Sequence, residues 1–301
     1  MSSLTVASAQ FELRAEPDFA SFAAHLTDVV ERAVDAGGEL VVLPELVTTG
    51  LLASVPDGPI RTDSVASHYR SLFPSLTGQL SSLLRKLAVR LSVTLLGGSH
   101  YDTADDGSLR NVAILAHRDG TLEFQDKLHL TPPEHALGAV GGNDVLITSI
   151  GPFTAAIQIC ADIEFPEVPR HLAENGVDMI LTPSLTWNRR GAHRVRYGAH
   201  ARAMENQLFV VTSPLIGSSG LPEDTAMHCT GTALVAGPID RTVGAHDGVL
   251  TQGHPGIEEV IVGTLDPSVL AASRARPEVP GLALRRPDLY ASLQQPAKVR
   301  S

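Results

Sequence analysis

Five apolar runs of strand length recur along this chain with almost no polar alternation. They are LTVASAQF at 4–11, ELVVLPEL at 39–46, FTAAIQIC at 153–160, MILTPS at 179–184 and QLFVVTS at 207–213. A strand with one wet face alternates apolar and polar residues, whereas a run apolar throughout suits a strand covered by other elements on both faces. The covering elements are legible as well. After Pro17-Asp18, the positions Phe19, Phe22, Ala23, Leu26, Val29, Val30, Ala33 and Val34 recur at threes and fours, and Gly37-Gly38 ends the pattern. That spacing predicts a helix with one buried stripe. Strand, helix and strand in succession point to an α/β fold with a covered sheet.

The spacing from Gly37 to Pro44 is seven residues, and so is that from Gly176 to Pro183. This echo suggests two similar αβ halves of one fold. Between them the pattern predicts a helix near 75–90 and strands near 92–98, 111–116 and 121–124, the last two joined by a hairpin turn at Asp119-Gly120. Farther on come a helix at about 191–205, strands near 231–236 and 258–264, and a short helix near 267–274. We read one domain over 1–275 and a C-terminal arm over 276–301. The arm's RPEVPGLALRRPDLY suits docking on another surface, such as a second subunit, and equally suits a loosely ordered tail.

Charge and composition narrow the function classes. With 23 Lys+Arg against 33 Asp+Glu the formal charge is −10, and no basic stripe offsets it, which argues against nucleic acid as a partner. No window approaches the apolar length of a membrane span. The N-terminus lacks the basic and apolar regions of a signal peptide, so a cytosolic protein is expected. Two cysteines, Cys160 and Cys229, cannot form a disulfide framework, so each thiol is read singly. The 12 histidines form no HExxH or tight ligand cluster, and neither GxGxxG nor GxxxxGK[ST] occurs; a reaction without metal or cofactor is expected.

Three reactive side chains follow apolar strands. Glu45 comes after LVVLP, Lys127 after TLEF in FQDKLHLTPPE, and Cys160 ends TAAIQIC. Strand carboxyl ends converge on a crevice in open α/β sheets, so the three can meet although far apart in sequence. Taken singly, each has a plainer reading: a solvated strand terminus, a surface lysine and a packed thiol.

Together, LVVLPELVTTG, KLHLTPPE and ICADIEFPEVPRHLAENGVDMILTPS resemble the nitrilase superfamily, the carbon–nitrogen hydrolases; RAMENQLFVV and the closing RRPDLY extend the likeness over nearly the whole chain. The resemblance implies a four-layer α-β-β-α sandwich that dimerises. It also implies a catalytic triad at Glu45, Lys127 and Cys160, with Glu134 orienting the lysine and meeting the nitrogen side of the substrate. The backbone N–H of Ala161 would join Lys127 at the oxyanion, and Asp162 would be structural support. A bulky aromatic often stands after the nucleophile in relatives, so Ala161 leaves pocket volume. Trp187, the only tryptophan, follows TPSLT in a loop that the resemblance places along the site, where it would fill that volume; a core position is the competing reading.

The residue types fit the chemistry. Amide carbonyls are poor electrophiles, so a thiol that forms a thioester divides the reaction into two easier steps. A carboxylate can take the thiol proton, pass it to the departing nitrogen and then activate water. An ammonium supports the oxyanion. Arg189 or Arg190, at the start of an arginine-rich segment, would suit a substrate carboxylate, since guanidinium pairs with carboxylate through two hydrogen bonds. A solvated helix face paired with surface acids is the alternative. Cys229 has no matching role and reads as a packed or semi-exposed thiol. The expected function is a cysteine amidohydrolase acting on a small linear amide or N-carbamoyl compound, as a homodimer or higher homo-oligomer. Nitrile hydrolysis, a non-catalytic scaffold of the same fold and a metal-dependent hydrolase are the alternatives.

Overall fold

The computed structural model describes residues 2–56 and 58–293. Its first half carries β1 (Leu4–Leu13), β2 (Leu40–Val42), β3 (Thr94–Thr103), β4 (Leu109–Ala116) and β5 (Leu122–Asp126). Its second half carries β6 (Ile147–Ile150), β7 (Phe153–Ile157), β8 (Met179–Leu185), β9 (Phe209–Gly217), β10 (Leu234–Ala236) and β11 (Val249–Gln252). The last strand, β12 (Glu259–Leu265), returns antiparallel to β1. The main path runs β5-β4-β3-β2-β1-β9-β8-β7-β6. β1 joins the halves: Val6–Ser8 pair in parallel with β2, and Phe11–Leu13 pair in parallel with β9.

Helices α1 (Phe19–Asp35) and α2 (Thr62–Leu91) lie against the first half, α3 (Pro132–Ala136) is one turn in a loop, and α4 (Glu167–Glu174) and α5 (Arg189–Asn206) lie against the second. Two further helices, α6 (Pro267–Ala275) and α7 (Pro287–Leu293), close the described chain.

Side-chain alternation explains the layers. On the first half, Val6, Leu40, Val42, Leu96, Ala113 and Leu115 meet Ala155, Ile157, Leu181 and Val211 of the second in one core cluster. Their neighbours Ala7, Val41, Leu43, Leu95, Ile114 and Ala116 turn outward onto Phe22, Leu26, Val29 of α1 and Leu80, Leu84 of α2. Both faces of the central strands are therefore dry, which is why those runs carry no polar alternation. Burying each of those helix side chains contributes about 2 kcal/mol before the entropy of ordering is subtracted. The result is a four-layer α-β-β-α sandwich.

The echo in spacing corresponds to α1–β2 in one half and α4–β8 in the other, with Gly37 (φ 94°) and Gly176 (φ 82°) both left-handed. Several boundaries differ from expectation. Helix α2 begins 13 residues before 75, because it runs through Pro74 rather than starting after it. The Phe73 carbonyl, just before that proline, accepts the Nε2–H of His100 at 2.7 Å. Strands β6 and β11 are short and partly exposed, so their sequences gave no apolar run. In the arm, α7 buries no residue, while Arg285 pairs with Glu174 of α4. Residues 294–301 of the arm lie outside the described residues.

Candidate active site

Each half supplies part of one polar cluster. Glu45 follows β2 in a turn held from β3: the Leu46 N–H donates to Ser99 Oγ at 3.0 Å, and the Ser99 N–H donates to the Pro44 carbonyl at 3.2 Å. This approach requires Gly98, where φ is 76° and a Cβ would stand 2.0 Å from the Pro44 oxygen. Leu46 itself takes a left-handed φ of 48°, a strain that the flanking contacts must hold.

The thiol does not end a strand. Sheet pairing of β7 stops at Ile157, and Cys160 opens a 3₁₀ segment, Cys160–Glu164, with a φ of 49°. This sharp turn lifts the side chain out of the strand direction and puts the Ala161 N–H in a first turn, where N–H groups have no intrahelical acceptor. Lys127 stands one residue past β5, its own N–H bonded to the Asn111 carbonyl of β4 at 2.8 Å. Glu134 lies in α3, where Thr131 donates to Glu134 Oε2 from both its N–H and its Oγ1–H at 2.8 Å, a capping box.

The four meet. Lys127 Nζ donates to Glu45 Oε1 at 2.7 Å and to Glu134 Oε2 at 2.8 Å, with the lysine and Glu45 each only 2% exposed. Those numbers exclude a surface lysine and a solvated acid. Glu45 Oε2 accepts the Leu185 N–H at 2.9 Å, the Leu185 carbonyl accepts the Cys160 thiol at 3.4 Å, and that thiol lies against the Glu45 carboxylate. An ammonium has three N–H donors, so two remain engaged and one is available.

Asn111 belongs to the cluster and was missed in the sequence. Its Nδ2 donates to Glu45 Oε1 at 3.0 Å and to Glu134 Oε1 at 2.9 Å. The signal was a fully polar amide immediately before the apolar run VAILA of β4. Asp162 ties the loops: its carboxylate accepts the backbone N–H groups of Ile159 at 3.0 Å, Leu128 at 3.3 Å and His129 at 2.7 Å, and pairs with His129 Nδ1 at 3.0 Å. It thereby fixes the cysteine turn to the lysine loop.

The environment splits the two glutamates. Burial pushes Glu45 above the usual carboxylate range, opposed by Lys127 and reinforced by the negative Glu134. Burial also works on Glu134, but Lys127 and the bonds from Asn111 and Thr131 outweigh it and hold that carboxyl low. Burial would depress Lys127, yet Glu45, Cys160 and Glu134 outweigh it and keep the ammonium charged. Burial and then the Glu45 charge drive the Cys160 thiol well above its ordinary value. Carboxylates pushed apart in this way carry different jobs: one exchanges protons, the other stays ionised.

Trp187 is 53% exposed, so the core position is excluded. Arg189 lines a cavity of about 300 Å³ with His193, Arg196, Ser184, Thr186 and Thr230, and none of Glu45, Lys127, Glu134 or Cys160 lines it. Arg190 is exposed. Farther along α5, exposed Arg194 pairs with Glu164 as a solvated helix face would, whereas Arg202 is buried, pairing with Glu205 and donating to the Ile163 carbonyl. Cys229 is a packed thiol, 5% exposed. Among the described residues no group of three or more His, Cys, Asp or Glu is placed to hold a metal ion, and no helix is long and apolar enough to cross a membrane.

The profile of the carbon–nitrogen hydrolase family matches residues 5–275. The chain belongs to that family. Among its relatives, a probable hydrolase of Bacillus subtilis, YhcX, is 36% identical over 282 residues, covering 93% of this chain and 53% of the relative. This carbon–nitrogen hydrolase thus spans about half the length of that protein. The omega-amidase NIT3 of Saccharomyces cerevisiae is 26% identical over 280 residues, covering 88% of this chain and 87% of the relative. In architecture it is similar to a double mutant of the amidase from Nesterenkonia sp. AN1 in complex with acrylamide, with a TM-score of 0.73, 19% identity and 97% of each chain covered.

Proposed function

We propose that this carbon–nitrogen hydrolase is a cysteine-dependent amidohydrolase that cleaves a small linear amide or N-carbamoyl compound through a thioester, releasing ammonia or an amine. The observation that carries the reading is the Lys127 ammonium clamped between two buried carboxylates beside the Cys160 thiol. The thiol is neutral at rest, because burial and the Glu45 charge oppose the thiolate. Glu45 therefore takes the proton as sulfur attacks the carbonyl carbon. The carbonyl π electrons move onto oxygen, which the free N–H of Lys127 and the Ala161 N–H stabilise. As the C–N bond breaks, Glu45 returns the proton to nitrogen and ammonia or amine departs. Glu45 then takes a proton from water as the water oxygen attacks the thioester carbonyl; the C–S bond breaks, Glu45 returns the proton to sulfur, and the carboxylic acid leaves. Glu134 keeps the lysine charged and in place throughout.

Relatives named omega-amidase and an amidase of the same architecture support the amide reading, and Ala161-Asp162 after the nucleophile favours it; a relative from Pyrococcus abyssi named nitrilase, 27% identical, keeps nitrile hydrolysis as the alternative. The test is a screen of small amides and N-carbamoyl acids for ammonia release, with Cys160→Ala as the blank and matched nitriles alongside. Release that survives Cys160→Ala refutes the reading, and faster turnover of the nitriles replaces it with a nitrilase. A scaffold would show no Glu45-dependent alkylation of Cys160 by iodoacetamide. We further propose that the protein works in the cytosol as a homodimer. Light scattering on the eluting protein should give the mass of two chains, and the mass of one chain would remove the dimer.

A further inference from the structure

Asn111 has one half of its amide fully employed and the other half idle. Its Nδ2 lies between Glu45 Oε1 and Glu134 Oε1, at 3.0 and 2.9 Å. Rotating the amide by half a turn would set Oδ1 against two carboxylate oxygens, so the orientation is locked by charge. Oδ1 is then a buried acceptor without a hydrogen-bond partner, on a side chain 1% exposed. Leaving a buried acceptor unpaired costs about 1–3 kcal/mol, so an orphan inside the reactive cluster calls for a partner, and a substrate donor supplies one. The idle oxygen shares a carbon with the nitrogen that bridges the two glutamates, so a donor to it stands one amide group away from Glu45.

We infer that Asn111 Oδ1 accepts an N–H of the scissile amide nitrogen and makes the site selective for amides over esters. The inference rests on the amidohydrolase reading above. A carboxamide nitrogen brings N–H donors and no available acceptor, which complements an orphaned carbonyl oxygen. An ester oxygen brings no donor, and its lone pairs would face Oδ1. A site built to receive N–H discriminates against an analogue that lacks it far more strongly than an apolar wall does. The bond also holds the nitrogen lone pair toward Glu45, where the proton must be delivered for departure. It stays in place as the amide nitrogen becomes ammonia, since each form keeps N–H groups.

The experiment compares kcat/KM for primary amides from acetamide to hexanamide with that for the methyl esters of the same acids. The proteins are the unaltered chain, Asn111→Leu and Asn111→Asp. Loss of Oδ1 in Asn111→Leu should lower the amide value roughly tenfold to a hundredfold beyond any loss on the ester. Asn111→Asp keeps an acceptor oxygen but loses the Nδ2 bridge, so both substrates should fall together and the amide-to-ester ratio should persist. The ratio does not depend on how much of a variant is folded, which separates recognition from stability. Equal losses on amide and ester in Asn111→Leu overturn the inference. So does loss of the ratio in Asn111→Asp, which would assign selectivity to the Nδ2 bridge. Absence of Cys160-dependent ammonia release in the unaltered chain overturns the proposed function and this inference with it. Cys160-dependent release with an unchanged ratio in Asn111→Leu overturns this inference alone.

Discussion

The Asp162 carboxylate accepts the backbone N–H of His129 at 2.7 Å, a bond that spans the gap between the cysteine turn and the lysine loop. With Ile159 and Leu128 also donating to it, one buried carboxylate sets the distance between Cys160 and Lys127. Asp162→Asn would turn an NH₂ toward at least one of these N–H groups. It should destabilise the fold by about 3 kcal/mol, measured by urea unfolding, and slow alkylation of Cys160 by iodoacetamide. Unchanged alkylation at full stability would show that the two loops hold their separation without it.

Gly98 is the point where β3 comes closest to the turn that carries Glu45. A Cβ there meets the Pro44 oxygen at 2.0 Å, and the left-handed φ of 76° adds strain. Gly98→Ala should cost at least about 2 kcal/mol in stability and displace Glu45, lowering turnover more than substrate binding. Steady-state kinetics and thermal melts on the same preparation check both parts; a variant with unchanged kcat would leave Glu45 held by Ser99 alone.

Turnover should require ionised Glu45. Because burial, with Glu134 adding to it, raises that carboxyl above the usual range, kcat/KM should rise with pH through a value above 4.5. Removing the negative neighbour in Glu134→Gln should move this acid limb to lower pH while reducing the rate. A limb that stays put or moves upward would mean that Glu134 does not act on Glu45 through its charge.

His100 gives a separate pH effect, on stability. It is buried in its neutral form: Nε2–H donates to the Phe73 carbonyl, Nδ1 accepts from Thr48 at 2.8 Å, and burial pushes its pKa down to about 4. The unfolded chain binds the proton near the ordinary 6.5, so between 6.5 and about 4 the unfolded state holds more protons than the folded one. Stability is then complete above 6.5 and falls as pH drops, by up to about 3 kcal/mol at pH 4. Denaturant melts from pH 7 to 4 should show a shallower fall in His100→Gln; parallel curves would exclude the histidine as the cause.

The apolar runs and the stripe of α1 determined the covered α/β sheet, because burial on two faces leaves a mark that needs no knowledge of contacts. That Glu45, Lys127, Glu134 and Cys160 would meet was legible as well, through the short motifs that carry the family resemblance. What the sequence could not carry was anything that depends on two distant segments meeting. Strand β7 was expected to reach Cys160, yet pairing ends at Ile157 because Leu185 and Asp162 capture the following residues. Asn111 belongs to no motif of its own, and only folding places its amide between two carboxylates. Trp187 and Arg189 were read from motif position alone; their exposure on the segment after Leu185 is a property of the folded surface. Local pattern settles what each segment prefers to be; only the packing of one half on the other decides which buried charges face each other, since their energies depend on distance and burial rather than on order along the chain.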